Sequence, residues 1–409
     1  MIKILHTSDL HIGKRLYHAE LSEEQLLFFT WLTDLIEKEK IDGLIISGDI
    51  FDVANPSSES RKIYFELLVR LSRLNCKVII TGGNHDSPAV LEAPRELLKE
   101  LDIHVVGCIS DDLSDMLIPI NNADGKPGLI VAAVPFLRDA DLRKHSENET
   151  SEDRAEAVKT GIIRIFNFAA EQCKKLYPEI PAIALGHLYV QGAGLSESER
   201  EIQLGNIAGI EEEKLSGYFH YYALGHLHKP QQPGNNDKII YSGAPVKMSF
   251  SESENENRVM QLTIEGNELK ATSIPVPLKR KLLRLSGTVE ELKQMLKELP
   301  ESNNMLKMFI ELDAVEENHD PDKIIELETL AAEFRNDSAE VLKYRIRFIN
   351  QPAGTASLYD INVNIEDLKP VDVFDRKLEN ENLDEETSRL LREAFGELLE
   401  EVLQKEEEK

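Results

Sequence analysis

The segment LIISGDIFD (residues 44–52) joins a short apolar run to a Gly-Asp pair. An apolar run of this length, followed at once by a turn signal, is typical of a strand buried on both faces. The same pattern occurs in IKILHTSDLH (2–11) and VIITGGNHD (78–86), and apolar residues with helical spacing fill 22–40 and 57–74 between these runs. The alternation predicts a βαβαβ beginning with a mostly parallel sheet.

Both helical patterns carry a start signal. Ser22 and Gln25 have the spacing of a capping box, in which the two side chains bond the first backbone N–H groups of a helix. Pro56 followed by two serines predicts the start of the second helix. The sequence thus assigns Gln25 a role at a helix terminus.

Strand-like runs continue to about residue 275. HVVG, MLIPI and GLIVAAVPF lie between about 103 and 135, and a helical pattern follows at 151–176. PAIALGHL, YYALGHLH, KIIYSGAP and RVMQLTIEG then complete the series. We therefore predict one large α/β domain over residues 1–275.

The rest of the chain changes character. Residues 276–350 show the order β-α-β-α-β, which predicts a small second domain. A looser stretch follows, and apolar residues at about 384–404 predict a helix with one broad apolar face. We interpret 351–409 as a linker and a helix that either packs back on its own domain or binds a partner.

The composition limits the possible functions. The 409 residues include 74 Asp and Glu against 47 Lys and Arg, a net charge of −27, which argues against a general binder of polyanions. The three cysteines show no C-x-x-C spacing, so neither a disulfide framework nor a thiolate metal site is expected. MIKILHTSD lacks the apolar length of a signal peptide, and no apolar run approaches the ~18 residues of a membrane span. We predict a cytoplasmic protein without a membrane association.

Five polar motifs follow predicted strands: Asp9-Leu10-His11, Gly48-Asp49-Ile50-Phe51-Asp52, Gly83-Asn84-His85-Asp86, Gly186-His187 and Gly225-His226-Leu227-His228. Residues i and i+2 of an extended backbone point to the same side, so the D-x-H and H-x-H motifs can each present two ligand atoms to one ion. Carboxylate, imidazole and amide ligands favour Mn²⁺, Fe²⁺ or Zn²⁺. Asp49 is placed to bridge two ions about 3.5–4 Å apart.

Each motif is weak alone. A lone Gly-His usually belongs to a loop or a core, and a Gly-Asp after an apolar run is often a plain turn. All five motifs in this order, each after a predicted strand, favour a two-metal site.

The ordered set of motifs resembles the calcineurin-like metallophosphoesterases, whose fold is an αββα sandwich. SDLHIGK (8–14), SGDIFDVANP (47–56), TGGNHDSP (81–88) and ALGHLHKPQ (223–231) are similar to the SbcD nucleases, bacterial relatives of the Mre-type DNA-repair nuclease. The resemblance covers almost the full length. It implies an α/β (α+β) chain with a phosphoesterase sandwich, a small βαβαβ capping domain and a C-terminal helical segment that docks on a partner ATPase.

The resemblance also implies a role for each site residue. The first metal ion would be held by Asp9, His11, Asp49 and His228. The second would be held by Asp49, Asn84, His187 and His226. His85 matches the family's catalytic histidine, which orients or protonates the leaving alkoxide. We further hypothesise that the Asp52 carboxylate pairs with His85 and that Asp86 orients a ligand.

The function implied is a metal-dependent DNA nuclease, a 3′–5′ exonuclease on double-stranded ends and an endonuclease on hairpins and single strands, with Mn²⁺ favoured. No G-x-x-x-x-G-K-[S/T] motif occurs, so ATP-driven processing needs an SbcC-type coiled-coil ATPase. The resemblance suggests a homodimer within a heterotetramer. We hypothesise that two loops contact the phosphate backbone of DNA, one with Lys14, Arg15 and Tyr17 after the first motif and one with residues 55–58 after the second. The alternatives are a small-molecule phosphatase or cyclic-nucleotide phosphodiesterase, and a scaffold with a decayed site.

Overall fold

The computed structural model describes residues 1–110, 112–142, 151–194, 209–215, 217–234, 236–277, 279–299 and 306–350, together with Phe374, Leu378, Leu391, Arg392 and Phe395. The chain divides into two compact units, 1–283 with 303–308, and 284–302 with 309–409. Most of the helix predicted at 384–404 lies outside the described residues. The predicted domain boundaries at 275 and 350 stay predictions.

The first unit is built from two large sheets, a two-stranded antiparallel sheet formed by β2 and β3, and the helices between these strands. Its strands are β1 (Ile2–Thr7), β2 (Arg15–Leu16), β3 (Ala19–Glu20), β4 (Gly43–Ser47), β5 (Lys77–Thr81), β6 (Ile103–Val106), β7 (Leu117–Asn121), β8 (Pro127–Ala133), β9 (Ala182–His187), β10 (Tyr222–Gly225), β11 (Ile239–Tyr241), β12 (Arg258–Glu265) and β13 (Glu268–Pro275). Its helices are α1 (Ser22–Glu39), α2 (Ser58–Leu71), α3 (Pro88–Glu92), α4 (Arg95–Lys99), α5 (Asp139–Leu142) and α6 (Ser151–Leu176). The strands and helices predicted in this region are confirmed.

The larger sheet has the order β13-β12-β1-β4-β5-β6. Strands β1, β4, β5 and β6 run parallel, and β12 pairs antiparallel with β1. Every residue of β4 is buried, as expected for a short apolar strand covered on both faces. Because Thr7 pairs with Ile46 and Ser47 pairs with Thr81, the loops that follow β1, β4 and β5 leave the sheet side by side.

The smaller sheet has the order β11-β10-β9-β8-β7, in which β8, β9, β10 and β11 are parallel. Its inner face packs on the larger sheet, where β4 contacts β9 and β10. Ile4, Ile45 and Ile79 of one sheet share a core with Ile183 and Ala223 of the other. Helices α3 and α4 contact β6, and α6 contacts β8. The predicted α/β sandwich is therefore confirmed.

The structure confirms the predicted N-cap of α2 and contradicts the one predicted for α1. Ser57 is the N-cap of α2 and accepts a hydrogen bond from the backbone N–H of Ser60, as predicted. The capping box predicted for α1 is wrong, because Leu21 is the N-cap and makes no side-chain bond. Gln25 instead reaches back to the loop after β1. None of the helices that the structure describes is long and apolar enough to cross a membrane.

The second unit contains most of β14 (Leu282–Gly287) and of β15 (Met308–Asn318), together with α7 (Val289–Lys297), α8 (Pro321–Glu333) and β16 (Ala339–Asn350). The sheet order is β14-β15-β16, so the predicted β-α-β-α-β order is confirmed. Two acidic residues of the central strand are buried: Glu311 pairs with Arg284 and Lys343, and Asp313 pairs with two arginines of β16. Basic side chains of both outer strands thus neutralise the middle of this sheet.

Candidate metal centre

The predicted site residues follow the carboxyl ends of five parallel strands. Asp9, Asp49 and Asn84 follow β1, β4 and β5 of the larger sheet, and His187 and His226 lie at the ends of β9 and β10. Gly225 pairs with His187 in the register of the smaller sheet. Ligands of parallel α/β sheets bind beyond the carboxyl ends of the strands. The two packed sheets therefore bring all five strand ends to one edge of the sandwich.

The loop after β1 is not extended. Asp9 and His11 have φ values of 53° and 42°, in the left-handed region that residues other than glycine rarely adopt. Their N–H groups donate to the carbonyl oxygens of Gly48 (3.1 Å) and Asp49 (3.0 Å). The two side chains do approach one cluster, but the reasoning from an extended backbone was wrong, because a tight turn held by the loop after β4 directs them there.

Asp9, His11 and His228 form the first cluster, and their ligand atoms lie within 4.8 Å of one another. The Nδ1–H group of His11 donates to Oδ1 of Asp52 (3.2 Å), and that of His228 donates to Oε1 of Glu252 (3.2 Å). Their Nε2 atoms face each other at a distance of 3.2 Å. Two imidazole nitrogens at this distance can share a proton or bind one cation together.

Asn84, His187 and His226 form the second cluster. Oδ1 of Asn84 lies 2.9 Å from Nε2 of His187 and 3.1 Å from Nδ1 of His226. The Nδ1–H group of His187 donates to the carbonyl oxygen of Ser47 (2.9 Å), so its Nε2 is the atom that faces the cluster. Nε2 of His226 is buried without a hydrogen-bond partner among the described residues.

Asp49 lies between the two clusters. Its Oδ2 atom is 3.2 Å from Nε2 of His187 and 3.5 Å from Nε2 of His11. Its Oδ1 atom accepts a hydrogen bond from the backbone N–H of His85 (2.9 Å). The residue is 1% exposed. A carboxylate in this position can contribute to both clusters.

The charges of the site favour a bound cation. Burial alone would lower the pKa of His187, but the Asp49 carboxylate beside it outweighs burial and raises the pKa to about 9. Burial lowers the pKa of His226 to about 3 and that of His11 to about 4, so both are neutral at pH 7. Burial raises the pKa of Asp9 to about 6. Carboxylate, amide and imidazole donors thus converge where the Asp49 carboxylate stabilises a positive charge on His187, and this donor set fits divalent transition-metal ions.

His85 and Asp52 are in contact, but not in the predicted way. The Nδ1–H group of His85 donates to the backbone carbonyl oxygen of Asp52 (2.8 Å). The Asp52 carboxylate pairs with His11 and with Nζ of Lys14 (3.1 Å). Burial opposes its charge, but these two partners lower its pKa to about 2. The prediction that the Asp52 carboxylate pairs with His85 is therefore wrong, since the backbone oxygen makes that contact.

Asp86 joins two of the loops. Its carboxylate accepts hydrogen bonds from the N–H groups of Ile50 (3.0 Å), Phe51 (2.9 Å) and Gly83 (2.8 Å). Asp86 therefore orients the loops that carry Asp49 and Asn84, and does so through their backbone. A Cβ atom on Gly83 would overlap the Asp49 carboxylate, so this approach requires glycine.

Comparison with known proteins is consistent with this geometry. Residues 2–230 match the family described as calcineurin-like phosphoesterase. The chain belongs to that family.

Within this phosphoesterase family the chain resembles proteins named as the SbcD subunit of the nuclease SbcCD. It is 33% identical over 294 residues to the protein of Rhodobacter capsulatus, covering 69% of this chain and 71% of the relative. It is 26% identical over 397 residues to that of Escherichia coli K12, covering 96% and 97%. It is 30% identical over 254 residues to that of Bacillus subtilis, covering 62% and 63%. The chain is thus an SbcD-type member of the calcineurin-like phosphoesterases, a class of metal-dependent hydrolases.

Three residues of this phosphoesterase site were not predicted. Gln25 is 1% exposed and donates to the carbonyl oxygens of the loop after β1, and Glu252 is 0% exposed and holds His228. Ser8 donates to the Asp9 carboxylate. Gln25 has the spacing of a capping residue, and Glu252 lies in SFSESENEN (249–257), a polar run typical of a solvated loop. Only Ser8, directly before Asp9, carried a sequence signal.

Proposed function

We propose that the chain is the nuclease subunit of an SbcCD-type complex, which hydrolyses DNA phosphodiester bonds by a two-metal mechanism with Mn²⁺ favoured. The proposed activities are 3′–5′ exonuclease action on double-stranded ends and endonuclease action on hairpins and single strands. They would serve DNA repair, recombination and replication in the cytoplasm. The observation that carries this proposal is the convergence of seven predicted ligand side chains, with His85 beside them, at one edge of the sandwich.

The proposed ligands divide between two ions. The first would be held by Asp9, His11, Asp49 and His228. The second would be held by Asp49, Asn84, His187 and His226. When bound, such ions lower the pKa of water and neutralise negative charge on phosphate oxygens.

His85 supplies the proton chemistry in this proposal. Because its Nδ1–H group is engaged by the Asp52 carbonyl oxygen, Nε2 is the atom that exchanges a proton with the substrate. The ring lies edge-on to His11, with centroids 4.9 Å apart, so His85 adjoins the first cluster without belonging to the predicted ligand set. We propose that the protonated ring gives its Nε2 proton to the leaving alkoxide and keeps its Nδ1 proton, a step of a kind that contributes about 10²–10⁴-fold to a rate.

A small-molecule phosphatase or cyclic-nucleotide phosphodiesterase is the alternative within the same family. Relatives named as nuclease subunits that match 96% of the chain favour the nuclease. The test is an assay on end-labelled hairpin DNA with Mn²⁺, with and without the partner ATPase and ATP. Hairpin opening that requires Mn²⁺ supports the proposal. Turnover of a phosphomonoester or a cyclic nucleotide without DNA cleavage would favour the alternative.

The partner ATPase is proposed to bind the C-terminal segment. Residues 351–409 hold 17 acidic and 7 basic residues, a net charge of −10, and the predicted helix at 384–404 has a broad apolar face. Deleting 380–409 should abolish recovery of an SbcC-type ATPase in a pulldown with the purified partner. Unchanged recovery would rule out this docking role.

A homodimer is proposed through helix α2, on the outside of the sandwich. Helix α2 exposes Phe65 (44%) and Val69 (47%), and α4 exposes Leu97 (68%). Phe65 and Val69 are four residues apart and therefore lie on one face of α2, and an exposed apolar face of this kind favours an interface. Phe65→Glu should convert a dimer into a monomer in light scattering, whereas a monomeric wild type would refute the proposal.

The DNA contacts remain a hypothesis for the loop that follows the first motif. Nζ of Lys14 forms an ion pair with the Asp52 carboxylate, which also pairs with His11. Lys14 is therefore linked to the metal centre through Asp52. Arg15 is exposed and pairs with Glu20, and exposed Tyr17 stacks on Phe250 with centroids 6.2 Å apart. Replacing Arg15 by Glu should weaken DNA binding and reduce its salt dependence. Unchanged binding would remove this loop from the interface.

A further inference from the structure

The carboxylate of Glu252 lies beneath the first cluster and is 0% exposed. It closes a 3₁₀ turn, Phe250–Glu252. Oε1 accepts hydrogen bonds from Nδ1–H of His228 (3.2 Å) and from the Ser249 hydroxyl (3.1 Å), and Oε2 accepts one from the backbone N–H of Met248 (2.9 Å). In these three contacts Glu252 acts as an acceptor, the role that a carboxylate takes.

A buried carboxylate is costly without a compensating positive charge. The nearby ammonium group of Lys247 influences it electrostatically, but that group donates to the carbonyl oxygen of Ser253. The direct contact is His228, whose opposite nitrogen faces the first cluster. A negative charge placed here acts through the imidazole on whatever His228 binds.

The histidines of the two clusters differ in what supports them. At the first cluster, His11 and His228 each donate Nδ1–H to a carboxylate, from Asp52 and Glu252. At the second cluster, His187 donates to a neutral backbone oxygen. A carboxylate behind a histidine fixes the tautomer and raises the basicity of the ligating nitrogen more than a carbonyl does.

We propose that Glu252 is a positioning residue that makes His228 a strong ligand of the first ion, and that the first site therefore binds its ion more tightly than the second. This inference rests on the proposed two-metal function. Glu252 is the more effective of the two supporting carboxylates, because Asp52 is partly exposed and shares its charge with Lys14.

The test is Mn²⁺ binding by Glu252→Gln, which keeps an acceptor for His228 and removes the charge. Wild type should bind two ions with unequal affinities in calorimetry, and the variant should bind the tighter ion 10–100-fold more weakly with the other ion unchanged. Glu254→Gln, an exposed acid of the same segment, is the matched control and should bind as wild type does.

Thermal unfolding separates this role from a merely structural one. In EDTA, Glu252→Gln should melt below wild type, because its amide NH2 group replaces the oxygen that accepts from the N–H group of Met248, and the rise in melting temperature on adding Mn²⁺ should also shrink. A lower melting temperature in EDTA with an unchanged Mn²⁺ effect would overturn the proposal in favour of a structural role.

A second variant keeps the proposal testable if Glu252→Gln does not fold. Glu252→Asp keeps the charge at a greater distance from His228, so its Mn²⁺ affinity should lie between that of wild type and a tenfold loss. Wild-type affinity for both ions in either folded variant would overturn the inference and leave the proposed function intact. A wild-type protein that binds no Mn²⁺ would refute both.

Discussion

Replacing Gln25 by Ala should loosen the loop that carries the first two predicted ligands. Nε2 of Gln25 donates to the carbonyl oxygens of Leu10 (3.1 Å) and His11 (2.7 Å), and Oε1 accepts from the N–H group of Gly13 (3.4 Å). Because the side chain is 1% exposed, water does not reach these groups in the folded protein. The variant would remove the donor of the buried Leu10 carbonyl group, whereas the His11 carbonyl group keeps its bond from the N–H group of Lys14 (2.9 Å).

The size of the effect follows from these contacts. Each of the two shorter hydrogen bonds contributes about 1 kcal/mol, and a buried carbonyl left unpaired costs about 1–3 kcal/mol. The 3.4 Å bond contributes less, since it lies at the limit of hydrogen-bond length. After partial relaxation of the loop we expect Gln25→Ala to lower the free energy of unfolding by about 2–4 kcal/mol, which is less than the about 5–15 kcal/mol of a typical domain.

Two measurements check this prediction. Urea unfolding in EDTA gives the stability, and a Mn²⁺ titration of the folded variant should show weaker binding at one site, because Asp9 and His11 are no longer held. Ser22→Ala is the matched control: its hydroxyl makes no capping bond in the structure, so the loss should stay within about 0.5 kcal/mol. Equal losses of unfolding free energy for Ser22→Ala and Gln25→Ala would support the predicted capping box instead. Unchanged Mn²⁺ binding by Gln25→Ala would refute the role of Gln25 in the loop.

Three further predictions concern single side chains. His85→Ala should lower Mn²⁺-dependent cleavage about 10²–10⁴-fold with two ions still bound in calorimetry; loss of an ion would make His85 a ligand. Asp49→Ala should weaken both ions in the same titration, whereas an effect on one ion alone would exclude bridging. Burial lowers the pKa of His6 from 6.5 to about 3, so its contribution to stability is complete above pH 6.5 and is lost as the pH falls towards 3. Between pH 7 and 5, wild type in EDTA should lose about 2 kcal/mol more than His6→Phe in urea unfolding, and parallel pH profiles would contradict this.

The main strands and the edge that carries the site could be predicted from the sequence because both depend on short segments. LIIS and VIIT are buried on both faces, and a polar motif directly follows each of them. Parallel strands in register place such motifs side by side whatever the rest of the chain does. The grouping of Asp9 with Asp49 and Asn84 follows from this rule. His226 lies on the other sheet, and its N–H group reaches the Asp9 carboxylate (2.9 Å) because the two sheets pack together.

The supporting residues could not be predicted, because their partners are set by tertiary contacts. Gln25 lies fifteen residues from Leu10 and has the spacing of a capping box with Ser22. A role at the start of α1 is therefore as consistent with the sequence as the observed contact with Leu10. Glu252 lies among serines and acids that resemble a solvated loop. The predicted contact between Asp52 and His85 exists, but it uses the backbone oxygen of Asp52 and not its carboxylate. No sequence pattern distinguishes these two oxygens.

Backbone strain explains why the conformation of the ligand residues could not be predicted from the sequence. Asp9, His11, Asp49 and His226 account for four of the eight non-glycine residues with positive φ among the described residues. Each such residue costs about 1–3 kcal/mol unless its surroundings impose it. Here the surroundings do so: each loop is held by hydrogen bonds from another, with the N–H group of His11 on the Asp49 carbonyl oxygen and that of His226 on the Asp9 carboxylate. Local preference argues against every one of these conformations, so the ligands are aligned only when both sheets have packed, and formation of the metal centre is coupled to folding of the sandwich.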